Sequence, residues 1–336
     1  MVRTAEKEEI RKEPDAKLNA RPGSGERLVT GIVILNYKTP DDVMTCVKSV
    51  RENTAGPYRI FVVDNDSPDG SFETLSESLA GQSDVTVIES GRNGGFSYGN
   101  NVGFRRAVAE GCDPVLSTNA DVVFRAGAID RLAARLLEEP DCAVAGPLVL
   151  FADGEVQRYT RGILTARVLL ARRKGLSFFA PKKAVRAYEY ADADYRRKFY
   201  PSGMVSGCCF MIRAHVLEKI GYLDEYPFLY NEEDILGAKL RALGMKTVYD
   251  PSAEVVHWGG KSTGGVSPFV RYHTFRSGLY YIRRYSDAGN AAFSRTARIL
   301  SILFTLTAIR HKEYRPYRKL LRKDIRDMKQ MKKASL

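Results

Sequence analysis

Alternating strand and helix patterns in the first third of the chain constrain the fold more than any other feature. Four apolar runs indicate buried strands: LVTGIVIL, YRIFVVD, DVTVIES and DPVLST. Amphipathic helical spacing follows the first three, in PDDVMTCVKSVREN, GSFETLSESLA and GNNVGFRRAVAEG. Because strands that alternate with helices form a parallel sheet covered by helices, we expect an α/β fold of this kind.

Polar side chains follow these strands at the point where each one ends. The first strand ends at Asn36 and Tyr37, the second at Asp64, and the fourth runs into Asn119 and Asp121. Ligands of such sheets bind beyond the carboxyl ends of the strands. We therefore expect the binding site along this edge.

The third strand runs into a loop rich in glycine and asparagine, GRNGGFSYGNN, that leads into a helix. Loops of this kind often bring the backbone close to an anion at a helix N-terminus. The spacing GxxGG, however, lacks the GxGxxG pattern of dinucleotide-binding proteins. The loop therefore predicts a ligand other than a dinucleotide.

Two carboxylates at the strand ends have both functional and structural interpretations. Asp121 can hold Mg²⁺ or Mn²⁺ together with a substrate phosphate, or it can belong to a plain turn or cap the following helix. Asp64 can accept a hydrogen bond from a base or a ribose, or it can belong to the turn DNDSPDG.

Two later motifs also have alternative interpretations. The acidic run Glu232–Asp234 begins a helix, where carboxylates are ordinary partners of the helix dipole. Crowding and burial can raise the pKa of such a group, which would suit a general base. His257, within HWGGKST, can be a metal ligand or part of a diphosphate clamp with Lys261, although a single histidine is more often structural.

The chain resembles family 2 glycosyltransferases of the GT-A fold, nearest to their rhamnosyltransferase-like branch. The resemblance rests on an ordered set of segments over about residues 29–281: VILNY, VVDNDS, RNGGFSYGNNVG, TNADV, VSGCCFMIR, NEED and HWGGKST. It implies a mixed, mainly parallel, Rossmann-like sheet flanked by helices, with a helical C-terminal extension. It also implies an inverting, metal-dependent transferase that uses a nucleotide-diphospho-sugar.

Carried over residue by residue, the resemblance implies Asp234 as the catalytic base, with Glu233 as the second candidate. It implies that Asp121 and His257 hold Mg²⁺ or Mn²⁺. It implies a nucleotide-sugar pocket lined by Asn36, Tyr37, Asp64, Asn93, Gly94, Gly95, Phe96, Asn100, Asn119 and Lys261. In this interpretation the loop meets a neutral nucleoside and sugar, so it needs no lysine.

The chain departs from the family pattern at two positions. Asn119 stands where the family has the first aspartate of its metal motif, so metal affinity would rest on Asp121 and substrate phosphate. Ile235 stands where many relatives carry a second aspartate after the base. Because of Asn119, a catalytically inactive scaffold remains an alternative.

The chain divides into three regions by composition. Residues 1–27 are mixed-charge and predict a disordered arm without a signal peptide. Residues 28–265 form the transferase domain, with a nucleotide-sugar half (28–150) and an acceptor half (151–265). The acceptor half contains the basic insert 167–198, which we interpret as poorly ordered or as a substrate-facing flap. Residues 266–336 form the helical, basic extension.

The charge is concentrated in two segments. Ten Lys/Arg against three Asp/Glu give +7 in 167–198, and eleven against three give +8 in 310–336. Since the whole chain carries +12, the remainder sums to −3. A basic segment attracts nucleic acid, anionic lipid or a phosphorylated substrate, and a solvated helix face is the simpler alternative.

The apolar run ARILSILFTLTAI before the basic tail predicts an interfacial helix or an ordinary core helix. Its uncharged part, Ile299–Ile309, is shorter than the ~20 residues that span a bilayer. An interfacial helix would bring residues 297–336 to an anionic membrane, at the inner face of the cell membrane in the cytoplasm. The five cysteines without a CxxC pair also favour a reducing compartment.

The expected partners follow from these features. The donor is a nucleotide-diphospho-sugar, for which the branch suggests dTDP-rhamnose, and the acceptor is a glycan or polyprenyl-diphosphate-linked glycan of cell-envelope polysaccharide. A nucleic-acid-binding protein is an alternative, but the charge is not arranged in a recognition motif. A nucleotidyltransferase is another, but LNYKTPDD lacks a basic glycine-rich loop. The oligomeric state is left open, a homo-oligomer included.

Overall fold

A mixed eight-stranded sheet forms the centre of the structure, a computed structural model that describes residues 28–259 and 267–334. Its strands are β1 Thr30–Asn36, β2 Tyr58–Asp64, β3 Val85–Glu89, β4 Val115–Asn119, β5 Val122–Phe124, β6 Cys142–Leu150, β7 Cys209–Ile212 and β8 Lys246–His257. Their spatial order is β3-β2-β1-β4-β7-β6-β8-β5. The first four strands are parallel, as predicted, so their carboxyl ends meet at one edge.

Helices cover the sheet and continue beyond it. They are α1 Pro40–Asn53, α2 Ser71–Ser78, α3 Phe96–Ala109, α4 Ala128–Glu138, α5 Ala166–Ala171, α6 Lys182–Tyr188, α7 Ala214–Lys219, α8 Glu232–Ala242, α9 Pro268–Arg284, α10 Asn290–Arg310 and α11 Arg315–Gln330. Helix α3 packs on β1 and β2, whereas α1 and α4 pack near β5 and β8. The mixed, mainly parallel sheet with helical flanks and a helical extension is the predicted fold class.

The second half of the sheet differs from the sequence-based prediction. The runs MKTVYDP and AEVVH form the single strand β8, with a register shift opposite Pro147 and Leu148. Within PSGMVSGCCFMIR, the strand covers only Cys209–Ile212, which is antiparallel to β4 and β6. The short strand β5 was not predicted, because three residues are too few to give a periodic pattern.

The basic insert 167–198 is packed, contrary to the expectation of poor order. Helices α5 and α6 lie within or overlap it, and its apolar side chains Leu169, Tyr188 and Tyr195 are buried. A hydrophobic core separate from that of the sheet joins α5 and α6 to α9, α10 and α11. Burial of Leu169 and Tyr188 in this core stabilises the insert against the C-terminal helices, whereas Tyr195 packs against Tyr249 in another core.

Helix α10 is longer than the apolar run that predicted it. It extends over Asn290–Arg310, and among the described residues it is the one helix whose length and composition would allow it to cross a membrane. Of its most apolar 18-residue window, 33% is buried in the protein. Core helices pass the same test. The N-terminal arm 1–27 and Lys261 lie outside the described residues.

Candidate functional site

Asp64 and Asn36 form a buried polar pair where β1 and β2 end side by side. Asn36 Nδ2 donates a 2.6 Å hydrogen bond to Asp64 Oδ2, and the two residues are register partners in the sheet. The other carboxylate oxygen accepts a hydrogen bond from the Ser67 backbone N–H (2.8 Å). The neighbouring ring of Tyr37 is exposed on the surface. The pair fixes the strand ends, and Tyr37 is the side chain that remains accessible to a ligand.

The glycine-rich loop is held by an asparagine that the sequence analysis left without a role. Asn65 Nδ2 donates to Asn93 Oδ1 (3.1 Å) and to the Gly95 carbonyl (3.2 Å). Asn93 Oδ1 also accepts a hydrogen bond from the Gly95 N–H. These bonds shape the loop from within. Its position after β2, in a turn-like sequence, was the available signal for Asn65.

Gly95 is required by contact with the acceptor half of the protein. Its φ of 87° lies in the left-handed region, and a Cβ there would overlap the carbonyl oxygen of Phe228. That same oxygen accepts a hydrogen bond from the N–H of Phe96 (3.0 Å), the first residue of α3. A Cβ on Gly94 would likewise overlap the ring of Tyr98. Packing inside the protein therefore accounts for both glycines.

The structure places Asn100 beneath the loop. Its side chain is fully buried, with Nδ2 donating to the Phe96 carbonyl and Oδ1 accepting from Ser117 Oγ at 2.8 Å. Asn100 therefore ties α3 to β4 and supports the pocket from below. Asn119 ends β4 beside the site, and its N–H donates to the carbonyl of Cys208 (2.9 Å).

Asp121 and His257 are brought together by the pairing of β5 with β8. Val122 is the register partner of His257, and the Trp258 N–H donates to the Asp121 carbonyl (2.9 Å). As a result, His257 Nε2 lies 3.3 Å from Asp121 Oδ1. The two residues predicted to share a metal are therefore neighbours at the carboxyl edge of β4.

Gln157, which was not predicted from the sequence, binds the second ring nitrogen of the His257 imidazole. Its Oε1 lies 2.9 Å from His257 Nδ1, and its Nε2 donates to the His257 carbonyl at the same distance. Since an amide oxygen only accepts, Nδ1 carries the hydrogen and Nε2 faces Asp121. No local pattern marks Gln157, which is brought here by the loop after β6.

The charges of Asp121 and His257 stabilise each other although both groups are largely buried. Burial lowers the pKa of His257, but hydrogen bonds to Asp121 and Cys208 outweigh it and raise that pKa to about 10. Burial raises the pKa of Asp121, yet the bond and charge of His257 and the N–H of Gly259 bring it below its usual value. A Cβ on Gly259 would overlap Asp121 Oδ2. Without a bound cation, these two shifts favour an ion pair between the described side chains of Asp121 and His257.

The acidic first turn of α8 is preceded by strained backbone. Tyr230 and Asn231 have φ of 73° and 65°, and two consecutive non-glycine residues in this region are uncommon. Such strain is frequent at functional sites. Glu232 is buried, and burial followed by the charge of Glu233 raises its pKa well above the usual value.

Asp234 faces the insert. Tyr188 donates its hydroxyl to both carboxylate oxygens (3.1 and 3.3 Å), and Asn231 Nδ2 donates to one of them at 2.7 Å. Burial raises the pKa of Asp234 to about 6, although the bonds from Asn231 and Tyr188 act to lower it. The side chain is 6% exposed. Little of this carboxylate is therefore open to a substrate.

Glu233 lies against a different part of the protein from Asp234. A Cβ on Gly207 would overlap Glu233 Oε1, so the carboxylate lies directly against this glycine. The next residue, Cys208, contacts the imidazole of His257 through its thiol. Among the described residues, no group of three or more His, Cys, Asp and Glu side chains is arranged to hold a metal. Any cation bound by Asp121 and His257 would need further ligands from its substrate.

The sequence agrees with a known family over the part of the chain that contains Asn36, Asp64 and Asp121. The profile of Glycosyl transferase family 2 matches residues 31–221, which is more than half of the 336 residues. The chain belongs to glycosyl transferase family 2. Family membership favours the transferase interpretation over a nucleic-acid-binding protein.

One relative supports the rhamnosyltransferase-like resemblance of this family 2 glycosyltransferase. It is a Mycobacterium tuberculosis protein named N-acetylglucosaminyl-diphospho-decaprenol L-rhamnosyltransferase, 27% identical over 245 residues. The alignment covers 70% of this chain and 78% of that relative. The predicted resemblance to the rhamnosyltransferase-like branch is confirmed.

Two solved structures share the fold of this family 2 glycosyltransferase. The structure of GalNAc-T7 with UDP, GalNAc and Mn²⁺ is 16% identical with a TM-score of 0.56, and it aligns with 82% of this chain. This chain spans about half (55%) of the GalNAc-T7 chain. The mannosyltransferase PcManGT from Pyrobaculum calidifontis, with GDP-Man and Mn²⁺, is 12% identical with a TM-score of 0.52, and 93% of this chain aligns with 90% of it. These similarities confirm the GT-A architecture.

Proposed function

We propose that this protein is an inverting, divalent-metal-dependent glycosyltransferase that moves a sugar from a nucleotide-diphospho-sugar to a hydroxyl of a lipid-linked glycan. The proposal depends on one arrangement: Asp121 and His257 face each other at 3.3 Å, and the carboxylate of Glu233 lies against Gly207, the neighbour of the Cys208 that contacts His257. This arrangement offers a place for a diphosphate and a base beside it.

The nucleoside would bind along the ends of β1, β2 and β3. The exposed Tyr37 ring offers a surface for a base, while the Asn36–Asp64 pair and the Asn65–Asn93 contact keep the strand ends rigid. These groups are neutral amides and an aromatic ring, apart from the bound carboxylate of Asp64. They suit an uncharged nucleoside, so the phosphates would lie toward Asp121.

Asp121 and His257 fit a divalent cation. They supply a carboxylate and an imidazole nitrogen. Gln157 keeps a hydrogen on Nδ1, so Nε2 is the nitrogen that would hold the cation, which would take the place of the Nε2 proton. Partners of this kind orient metal-binding histidines in many proteins. When bound, Mg²⁺ or Mn²⁺ would offset the charge that develops on the leaving diphosphate. Since the described residues supply two ligands, the diphosphate itself would add to the coordination.

Glu233 is the better supported base, in place of the predicted Asp234. Its carboxylate lies against Gly207, the chain neighbour of the Cys208 that contacts His257, whereas Asp234 is occupied by Tyr188 and Asn231. Glu233 would accept the proton of the acceptor hydroxyl as that oxygen forms its bond to the anomeric carbon. The bond from this carbon to the diphosphate oxygen breaks on the opposite face, so the configuration inverts.

The donor and acceptor are proposed from the relative's name. The M. tuberculosis relative is named as a rhamnosyltransferase for N-acetylglucosaminyl-diphospho-decaprenol. We propose dTDP-rhamnose as the donor and a polyprenyl-diphosphate-linked glycan of cell-envelope polysaccharide as the acceptor. The enzyme would then work at the cytoplasmic face of the cell membrane.

The test is a transfer assay with the full chain, Mn²⁺, a detergent-solubilised polyprenyl-diphosphate glycan and a panel that contains dTDP-rhamnose, UDP-glucose and GDP-mannose. We expect nucleoside diphosphate release and a product of opposite anomeric configuration, and both should stop with EDTA. Asp121→Asn should lose this activity, while Asp141→Asn, at a surface ion pair with Lys246, should keep it. Retention of anomeric configuration, or full activity in EDTA, would contradict the proposal.

A further inference from the structure

Helix α10 carries a row of exposed apolar side chains on the face turned away from the core. Ile302, Leu306 and Ile309 are 50%, 51% and 64% exposed, at the three- and four-residue spacing of one helix face. On the opposite face, Leu300 and Phe304 are fully buried in the core shared with α9. The row is therefore a surface feature of a folded helix.

Helix α11 presents a basic surface next to that row in the chain. Its residues Arg315–Gln330 include seven Lys/Arg and two Asp. One aspartate is turned inward, since Asp324 accepts a 2.6 Å hydrogen bond from Tyr272 and lies 3.6 Å from Arg276. A surface groove on this helix is lined by Arg315, Pro316, Lys319, Leu320, Lys323 and Arg326. The outward face is consequently almost purely basic.

Helix α9 connects these two features to the catalytic side of the protein. Phe269 and His273 of α9 pack against Phe228. The carbonyl of Phe228 accepts the hydrogen bond from the Phe96 N–H and lies against Gly95. Tyr272, adjacent to His273, bonds to Asp324 of α11. One turn of α9 therefore lies between Phe228, which contacts the glycine-rich loop, and helix α11.

We propose that the row Ile302, Leu306 and Ile309 and the basic groove of α11, together the docking face, bind the surface of an anionic lipid bilayer. This inference rests on the proposed function, because it names the surface that brings the enzyme to a lipid-linked acceptor. The apolar row enters the boundary between headgroups and acyl chains, and the Lys and Arg side chains contact anionic headgroups. Helix α10 lies on the bilayer without crossing it, since crossing would expose the core side of Leu300 and Phe304.

The charge of the docking face decides between possible occupants. A nucleic acid would use the groove but leave the apolar row without a contact. A second copy of the chain would place one basic groove near another, and like charges repel. An anionic bilayer offers apolar acyl chains to the row and charged headgroups to the groove.

The experiment is flotation of the full chain with vesicles of phosphatidylcholine alone or with 30 mol% phosphatidylglycerol. We expect binding to the anionic vesicles only. Lys319→Gln/Lys323→Gln/Arg326→Gln should weaken it by at least roughly tenfold, since each basic side chain near such a surface contributes to binding. Ile302→Ser/Leu306→Ser/Ile309→Ser should weaken it similarly. The control Lys48→Gln/Arg125→Gln/Lys246→Gln removes three exposed charges elsewhere and should bind like the wild type.

Circular dichroism should show that all variants are folded, and donor turnover separates this inference from the proposed function. Normal nucleoside diphosphate release by a docking-face variant that no longer floats supports the inference. If neither the wild type nor any variant releases nucleoside diphosphate, but the wild type still floats with the anionic vesicles, the proposed function alone is overturned. Equal flotation by wild type and both docking-face variants would overturn the inference. So would an equal loss in the control, or a dimer in sedimentation equilibrium that the serine variant abolishes.

Discussion

His257 and Asp121 face each other across the β5–β8 pair, with Nε2 of the histidine 3.3 Å from Oδ1 of the aspartate. Gln157 binds the opposite ring nitrogen at 2.9 Å. The imidazole is thus fixed on both sides. The orientation of His257, a predicted metal ligand, therefore depends on Gln157 from another part of the chain.

Gln157→Ala should weaken metal use. Without Oε1 the imidazole is free to rotate or change tautomer, and loss of such a partner costs roughly 10- to 100-fold in metal affinity. The measurement is the Mn²⁺ concentration that gives half-maximal donor turnover. Gln82→Ala, at a half-buried glutamine that accepts a hydrogen bond from Arg51 far from the site, is the control. An unchanged Mn²⁺ requirement in Gln157→Ala would contradict this role.

Gly259→Ala should displace the Asp121 carboxylate, because the new Cβ would overlap Oδ2. We expect donor turnover to fall at least roughly tenfold, as expected when a metal-holding group is misplaced, with a small change in melting temperature. Gly289→Ala is the matched control, since a Cβ there meets nothing within 4 Å. Equal activity of the two variants would show that Asp121 is not needed in this position.

The parallel half of the fold could be predicted because its signals are local. Each of the first four strands is an apolar run, and each ends in a polar residue such as Asn36 or Asp64. The C-terminal side of the sheet gave weaker signals. Strand β5 has three residues, and β7 is antiparallel and only four residues long. Pairing of such short strands is decided by distant contacts.

The site residues could be predicted only in part, for the same physical reason. Asp121 and His257 were predicted from the family resemblance, and the β5–β8 pairing then brings them together. Gln157 could not be found, because its role depends on the loop after β6 reaching His257. The directions of Glu233 and Asp234 depend on Gly207 and Tyr188, which lie in distant segments. Adjacent carboxylates in one helical turn cannot be told apart by sequence pattern.

Gly207→Ala should impair the proposed base without unfolding the protein. The added methyl group would overlap Glu233 Oε1, and a flexible side chain can move aside at low cost. We expect kcat to fall at least roughly tenfold, because a small displacement of a reacting group is costly, with little change in donor KM. A fall in melting temperature with normal kcat would indicate that Gly207 has a packing role only.

The pH dependence of stability should report the burial of Asp234. Its pKa of about 6 in the folded protein exceeds the unfolded value of 3.8, so the folded state binds this proton more tightly. Its contribution to stability is therefore full below pH 4 and is lost as the pH rises through 6. Relative to Asp234→Asn, the free energy of unfolding of the wild type should fall by up to about 3 kcal/mol over this range. Parallel curves for the two proteins in urea denaturation would contradict a buried Asp234.

Tyr188→Phe should separate a positioning role of Asp234 from a catalytic one. Loss of the hydroxyl removes a hydrogen bond that lowers the pKa of Asp234, so this pKa should rise further. We expect the pH–stability curve to shift upward in pH while kcat at neutral pH stays within a few-fold of the wild type. A loss of kcat as large as that of a base variant would assign the chemistry to Asp234.

The most direct test of the account compares kcat for Glu233→Gln and Asp234→Asn at saturating donor and acceptor. Each change is isosteric and removes one carboxylate from adjacent positions of α8. We predict that Glu233→Gln loses roughly 10²- to 10⁴-fold in kcat, as expected for a general base, while Asp234→Asn loses far less. Near-normal turnover by Glu233→Gln, together with a collapse in Asp234→Asn, would contradict it.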